Sequence, residues 1–173
     1  MSGAPGERDQ DRHPYNVLFL CTGNSARSIF AEAALARLGS PRFRAFSAGS
    51  QPKDAPHPMA SETLARLGYE TAGLRSKSWE EFTGPEAPAL DFVFTVCGNA
   101  AGERCPIWAG DPIAVHWGVD DPAAFEGTPD AMRACFERIH DELLAKVEAL
   151  VALDPASLDE AELTERLRQI GRR

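Results

Sequence analysis

Apolar residues along the chain switch between two rhythms, and the switching predicts an architecture. Val17–Leu20 is a short, continuous apolar run, the mark of a strand buried on both faces of a parallel sheet. After a polar stretch, IFAEAALARLG repeats its apolar positions at helical spacing and stops at Gly39, which predicts a helix from about Arg27 to Leu38. Phe43–Phe46 reads as a second strand, and Pro58–Leu67, closed by Gly68, as a second helix. SKSWEEF suits a short helix, Asp91–Val96 is the strongest strand signal in the chain, and IAVHW suggests one more strand. Met132, Phe136, Ile139, Leu143, Val147 and Leu150 share one face of a long helix from about Pro129 to Leu153. Asp154-Pro155 interrupts it, and Ser157 with Glu160 makes a capping-box pattern ahead of a last helix that presents Leu163, Leu167 and Ile170. Strands separated by helices predict an α/β fold on a parallel sheet, with ligands beyond the carboxyl ends of the strands. Cys21 and Cys97 each follow such an end.

Residues 1–14 show no apolar periodicity and are rich in Gly, Pro and charge, so they are expected to form a disordered tail. A length of 173 residues suits one core, here 15–153, with 154–173 as a helical extension packed on it. No apolar run reaches bilayer length and the N-terminus lacks the apolar stretch of a secretion signal, which sets cytoplasmic localisation as the expectation. A net charge of −8 argues against a nucleic-acid partner, because such a surface repels phosphates. An anionic ligand must therefore be caught by a local site.

CTGNSARS, Cys21 to Ser28, supplies one. Strand, small and polar loop, then helix start aims backbone N–H groups and the positive helix end at a single point. Gly23 is expected to permit a positive φ, while Asn24, Ser25 and Ser28 hydrogen-bond within the loop. Thr22, Gly23, Asn24, Ser25, Ala26 and Ser28 thus form a nest for a tetrahedral oxyanion, and Arg27 grips two of its oxygens with a planar fork. The same groups are expected to lower the Cys21 thiol into the reactive range. In a reducing compartment Cys97, Cys105 and Cys135 are thiols as well, and with no short Cys-x2–4-Cys pair they do not suggest zinc.

Val17 to Ser28, with Ser47-Ala48-Gly49, resembles the low-molecular-weight protein tyrosine phosphatase superfamily, from about Tyr15 to Leu153. Within it, Phe94–Cys97, Cys105-Pro106 and His116 to Ala123 resemble arsenate reductases that use a cysteine relay. The resemblance implies a three-layer sandwich around a central four-stranded parallel sheet. It implies Cys21 as nucleophile toward arsenate (phosphate or sulfate as mimic), Asp121 as general acid with Asp120 as rival, and a relay through Cys97 and Cys105. The glycine-rich GNAAGER segment between the relay cysteines suits their movement toward each other. No tightly bound cofactor is implied, only an external thiol reductant: thioredoxin, glutaredoxin or a low-molecular-weight thiol. Gly98 stands where thioredoxin-linked members carry an acidic residue or serine, which leaves the donor open.

Asn24, Glu32 and Ser47 match residues that hold a potassium ion in some relatives, and Lys77 falls at an acidic position of that site, so its ammonium is expected to replace the ion. A monomer is expected. The alternatives are a low-molecular-weight phosphatase acting on phosphomonoesters, and a non-enzymatic oxyanion or arsenic sensor. Cys135 borders the long helix's apolar stripe and suits the core; His13, His57 and His140 show no partner in the sequence, and Trp108 could dock a redox partner or cover the loop.

Overall fold

The computed structural model describes residues 13–98 and 105–173. Residues 1–12 of the tail expected at 1–14, and residues 99–104 of the segment expected to move between the relay cysteines, lie outside them. Among the described residues are four strands, β1 (Tyr15–Leu20), β2 (Phe43–Ala48), β3 (Phe92–Thr95) and β4 (Ile113–His116); helices α1 (Arg27–Gly39) and α2 (Pro58–Arg66) follow the first two, and α3 (Pro129–Ala152) and α4 (Glu160–Gly171) follow β4. Short 3-10 turns occupy Trp79–Phe82, Pro122–Ala124 and Pro155–Ser157.

All pairings are parallel and the order is β2-β1-β3-β4, so β1 and β3 are central neighbours with Leu20 opposite Thr95. Alternate residues of β1 point to opposite faces, and both faces are covered. Val17 and Phe19 join Ile29, Phe30, Phe136, Ile139 and Leu167 in the larger core beneath the helices. Leu18 and Leu20 join Ala48, Phe82, Leu90 and Val93 on the far side, closed by Trp79 and Trp108. Three layers result, and the unbroken apolar run of β1 follows from burial on both sides.

Sequence and structure part at the start of α4. Ser157 lies in the preceding 3-10 turn and its hydroxyl donates to the Asp154 carbonyl; the cap is Asp159, whose carboxylate accepts from Glu162 N at 2.8 Å. A carboxylate two residues further along satisfies an orphan N–H of the first turn and suits the positive helix end.

Candidate active site

β1 delivers Cys21 to the carboxyl edge of the sheet, and the loop to α1 is shaped from outside. Gln51 N, Lys53 N and His57 N donate to the carbonyls of Thr22, Gly23 and Ser25 at 3.0, 2.9 and 2.9 Å, and the Ser76 hydroxyl donates to Asn24 O at 2.6 Å. A planar trans peptide points its C=O and N–H in opposite directions, so pinning four successive carbonyls outward turns the N–H groups of residues 23–26 inward. Ala26, the cap residue of α1, offers no side chain to that helix end, and its first turn holds no acid. The positive end of α1 is left facing the loop.

The left-handed residue of the loop is Asn24, with φ 45°, and not Gly23 as expected from sequence. Asparagine tolerates this conformation because its short amide can hydrogen-bond locally. Asn24 is fully buried: its Nδ2 donates to Ser28 Oγ at 2.8 Å and its Oδ1 accepts from Lys77 N at 2.9 Å. Gly49 is required for a different reason. A Cβ there would stand 2.4 Å from Thr22 O and 2.8 Å from Cys21 O, so the end of β2 passes too close to the loop for any side chain.

Cys97 sits at the end of the neighbouring strand, and the two buried sulfurs are within hydrogen-bonding reach of each other. Thr22 N donates to Cys97 Sγ at 3.4 Å. The Cys97 hydrogen bond, then burial, push the Cys21 thiol well above its ordinary range, against a downward pull from Arg27 and the Gly23 N–H. The expected lowering is therefore overruled: Arg27 and the loop do act as foreseen, but the neighbouring sulfur and the loss of water outweigh them.

Arg27, on the first turn of α1, donates to Val119 O at 3.3 Å and lies 3.6 Å from Asp121 Oδ2. Asp121 caps the Pro122–Ala124 turn through Ala123 N, and its carboxylate remains partly open to solvent. Cys21, Cys97, Arg27 and Asp121 thus converge, although 100 residues separate the first from the last.

Beneath the loop, Ser47 Oγ donates to Glu32 Oε2 at 2.6 Å, while Lys77 Nζ lies 3.7 Å from Glu32 Oε2 and donates to Ser47 Oγ at 3.4 Å. Burial pushes the Glu32 carboxyl up and the Lys77 ammonium down, each opposed by the other's charge. An ammonium already seated against Glu32 and Ser47 fills the position of a cation, and these residues do not fit a potassium ion. Initial rates are accordingly expected to agree within about 1.5-fold in potassium and sodium chloride at equal ionic strength. Strong activation by potassium would overturn this expectation.

Cys105 is exposed and Cys135 is buried in α3. Among the described residues no three His, Cys, Asp or Glu side chains are grouped to hold a metal. His57 accepts from Met59 N as the cap of α2 and packs on Phe136 at 4.9 Å. His140 is buried against Phe30, bonded to Tyr69 and Asp141. Trp108 packs on Trp79 at 6.2 Å. Sequence reasoning missed Ser76, the His57 N–H and the Val119 carbonyl, which shape the loop and hold Arg27; each acts across a long chain separation, and no local pattern announces it.

The model of the low molecular weight phosphotyrosine protein phosphatase family matches residues 16–165. The chain belongs to this family. A curated family relative, an arsenate reductase of Halalkalibacterium halodurans, is 33% identical over 132 residues, 76% of this chain and 91% of that protein. A solved arsenate reductase in its phosphate-binding state is 26% identical, with a TM-score of 0.64 over 80% of this chain and 97% of that one. A thioredoxin-dependent arsenate reductase of Corynebacterium glutamicum shares the fold at 23% identity and a TM-score of 0.59, over 81% of this chain and 61% of its own.

The shared family fold does not by itself separate a phosphatase from a reductase. Nor does it account for a second sulfur against the first. A cysteinyl-phosphate is opened by water, whereas Cys97 stands where its sulfur can reach Cys21.

Proposed function

We propose that the protein is an arsenate reductase, and the observation that carries this reading is the hydrogen bond between the Cys21 and Cys97 side chains, with Cys97 held beside the 21–28 loop by Thr22 N. Arsenate lodges on the N–H groups of residues 23–26 with Arg27 across two oxygens. Cys21 attacks arsenic through the thiolate fraction that Arg27 and the Gly23 N–H favour and forms an S–As bond; one hydroxyl of the arsenate leaves as water, with a proton from Asp121. Cys97 thiolate then attacks Cys21 Sγ. As the Cys21–Cys97 disulfide forms, the S–As bond breaks with its electron pair on arsenic, and As(V) leaves as arsenite, As(III). The exposed Cys105 attacks Cys97 Sγ, frees Cys21 and leaves a Cys97–Cys105 disulfide, which an external dithiol reduces. We assign the donor to the thioredoxin, glutaredoxin or small-thiol class and the protein to the cytoplasm, acting as a monomer. Among the described residues no helix is long and apolar enough to cross a membrane.

The test compares arsenite formation, with thioredoxin and with glutaredoxin or a small thiol supplied separately, against hydrolysis of an aryl phosphate. Arsenite turnover with at least one donor is expected; fast phosphate release with no arsenite under any donor would make the protein a phosphatase. Arg27→Lys tests the anion grip. A point charge cannot replace a two-pronged fork, and kcat/KM for arsenate is expected to fall about 10²–10³-fold in steady-state kinetics.

A further inference from the structure

Helix α4 is joined mechanically to the loop that carries Asp121. Its Leu163, Leu167 and Ile170 are buried in the same core as Trp117. Trp117 Nε1 donates to Leu167 O at 2.9 Å, and its ring stacks on Phe94 at 3.8 Å. The C-terminal end of α4 is gathered by one buried side chain of α3: Lys146 Nζ donates to the carbonyls of Ile170, Gly171 and Arg173 at 3.3, 3.2 and 2.9 Å. These include carbonyls that a helix end leaves without intrahelical partners, and a cation there also suits the negative end of the helix dipole. Gly171 is pressed against the end of β4, since a Cβ on it would lie 2.6 Å from His116 O and 2.7 Å from Trp117 Cδ1.

From Trp117 the chain runs directly into the site. Trp117 N donates to Thr95 O at 2.7 Å and Val119 N to Val96 O at 3.2 Å, one residue before Cys97. Val119 O then accepts from Arg27, and Asp121 faces the same guanidinium. The side chain that fixes the start of this short path is Trp117, and α4 is what closes over it.

We propose that α4 is a brace for the acid loop, with Lys146, Leu167 and Gly171 as positioning residues that fix Trp117 and through it the placement of Asp121 against Arg27. The proposal rests on the assignment of Asp121 as the proton donor. A helix that merely covers apolar surface would affect stability alone; a brace affects the step that Asp121 serves.

Gly171→Ala, which forces the helix end off β4, and Lys146→Met, which removes its anchor, test this in the full chain. Each is expected to lower kcat for arsenite formation about tenfold with KM for arsenate within about twofold, because a misplaced donor harms the transition state more than binding. Introduced into Asp121→Asn, neither is expected to lower kcat further, since two changes acting through one group are not additive. Hydrogen exchange at the backbone amides between 117 and 123, Pro122 having none, is expected to quicken about tenfold while β1 is unchanged. A kcat that stays at the wild-type value, or falls equally in the Asp121→Asn background, overturns the brace. Should the wild type make no arsenite, it is the functional assignment that fails, and exchange at 117–123 decides the brace by itself: unchanged rates overturn it. Lys146→Met carries the whole comparison if Gly171→Ala does not fold.

Discussion

The Cys21→Ser variant forms no arsenite, a loss of at least about 10⁴-fold from the wild type. A serine hydroxyl in the same loop is less acidic than the thiol and far the poorer nucleophile, and it cannot accept the attack of a second thiolate to form a disulfide. Both the first and the second step of the cycle therefore disappear together. The anion cradle does not depend on the sulfur: the carbonyls of residues 22–25 stay pinned outward and Arg27 keeps its place on Val119 O. Phosphate binding by calorimetry is thus expected within about threefold of wild type, because the donors that hold the anion are backbone N–H groups and a guanidinium. Retained arsenite formation in this variant would remove Cys21 from the mechanism.

Cys97→Ser is expected to stop arsenate turnover by at least about 10³-fold while leaving any aryl phosphate hydrolysis within about threefold, since water and not Cys97 completes that reaction. Without an external donor, the pre-reduced chains separate the steps. Wild type yields one equivalent of arsenite and a Cys97–Cys105 disulfide, Cys105→Ser yields one equivalent and a trapped Cys21–Cys97 disulfide, and Cys97→Ser yields none; peptide mapping by mass spectrometry reads the pairs. Arsenite turnover by Cys97→Ser at the wild-type rate would exclude the relay.

The same contact sets the pH dependence of the nucleophile. The Cys97 hydrogen bond and burial raise the Cys21 thiol, so at neutral pH little of it is thiolate, and alkylation of Cys21 is expected to accelerate as pH rises. Cys97→Ala removes the larger of these causes and is expected to bring faster alkylation at pH 7.

Much of this protein is legible in one dimension because its signals are local. The unbroken run Val17–Leu20 announces a strand buried on two faces, the spacing of Met132 to Leu150 announces a long buried-face helix, and CTGNSARS places a cysteine, a turn and a helix start within one strand–loop–helix unit. An oxyanion loop is built almost entirely from such neighbours, so its chemistry can be read before its shape is known. Where the local signal was ambiguous the expectation slipped by a residue or two: Asn24 and not Gly23 takes the positive φ, and Asp159 and not Ser157 caps α4. In both cases two suitable residues stood close together, and contacts from elsewhere made the choice; Lys77 N, for one, holds the Asn24 amide.

Tertiary structure alone decided what the sulfur of Cys21 experiences. Pairing of β1 with β3 sets Leu20 opposite Thr95 and brings Cys97 against Cys21. An expected low thiol becomes a raised one, because desolvation and a second sulfur are properties of packing and leave no trace in the spacing of residues. It likewise decided that Lys77 sits on Glu32, that Asp121 faces Arg27, and that Trp117 is clasped by the last helix. Sequence determined which groups can do chemistry and the loop proposed to hold an anion among them; the strand order determined which of those groups meet, since a parallel sheet carries residues far apart in the chain to one edge.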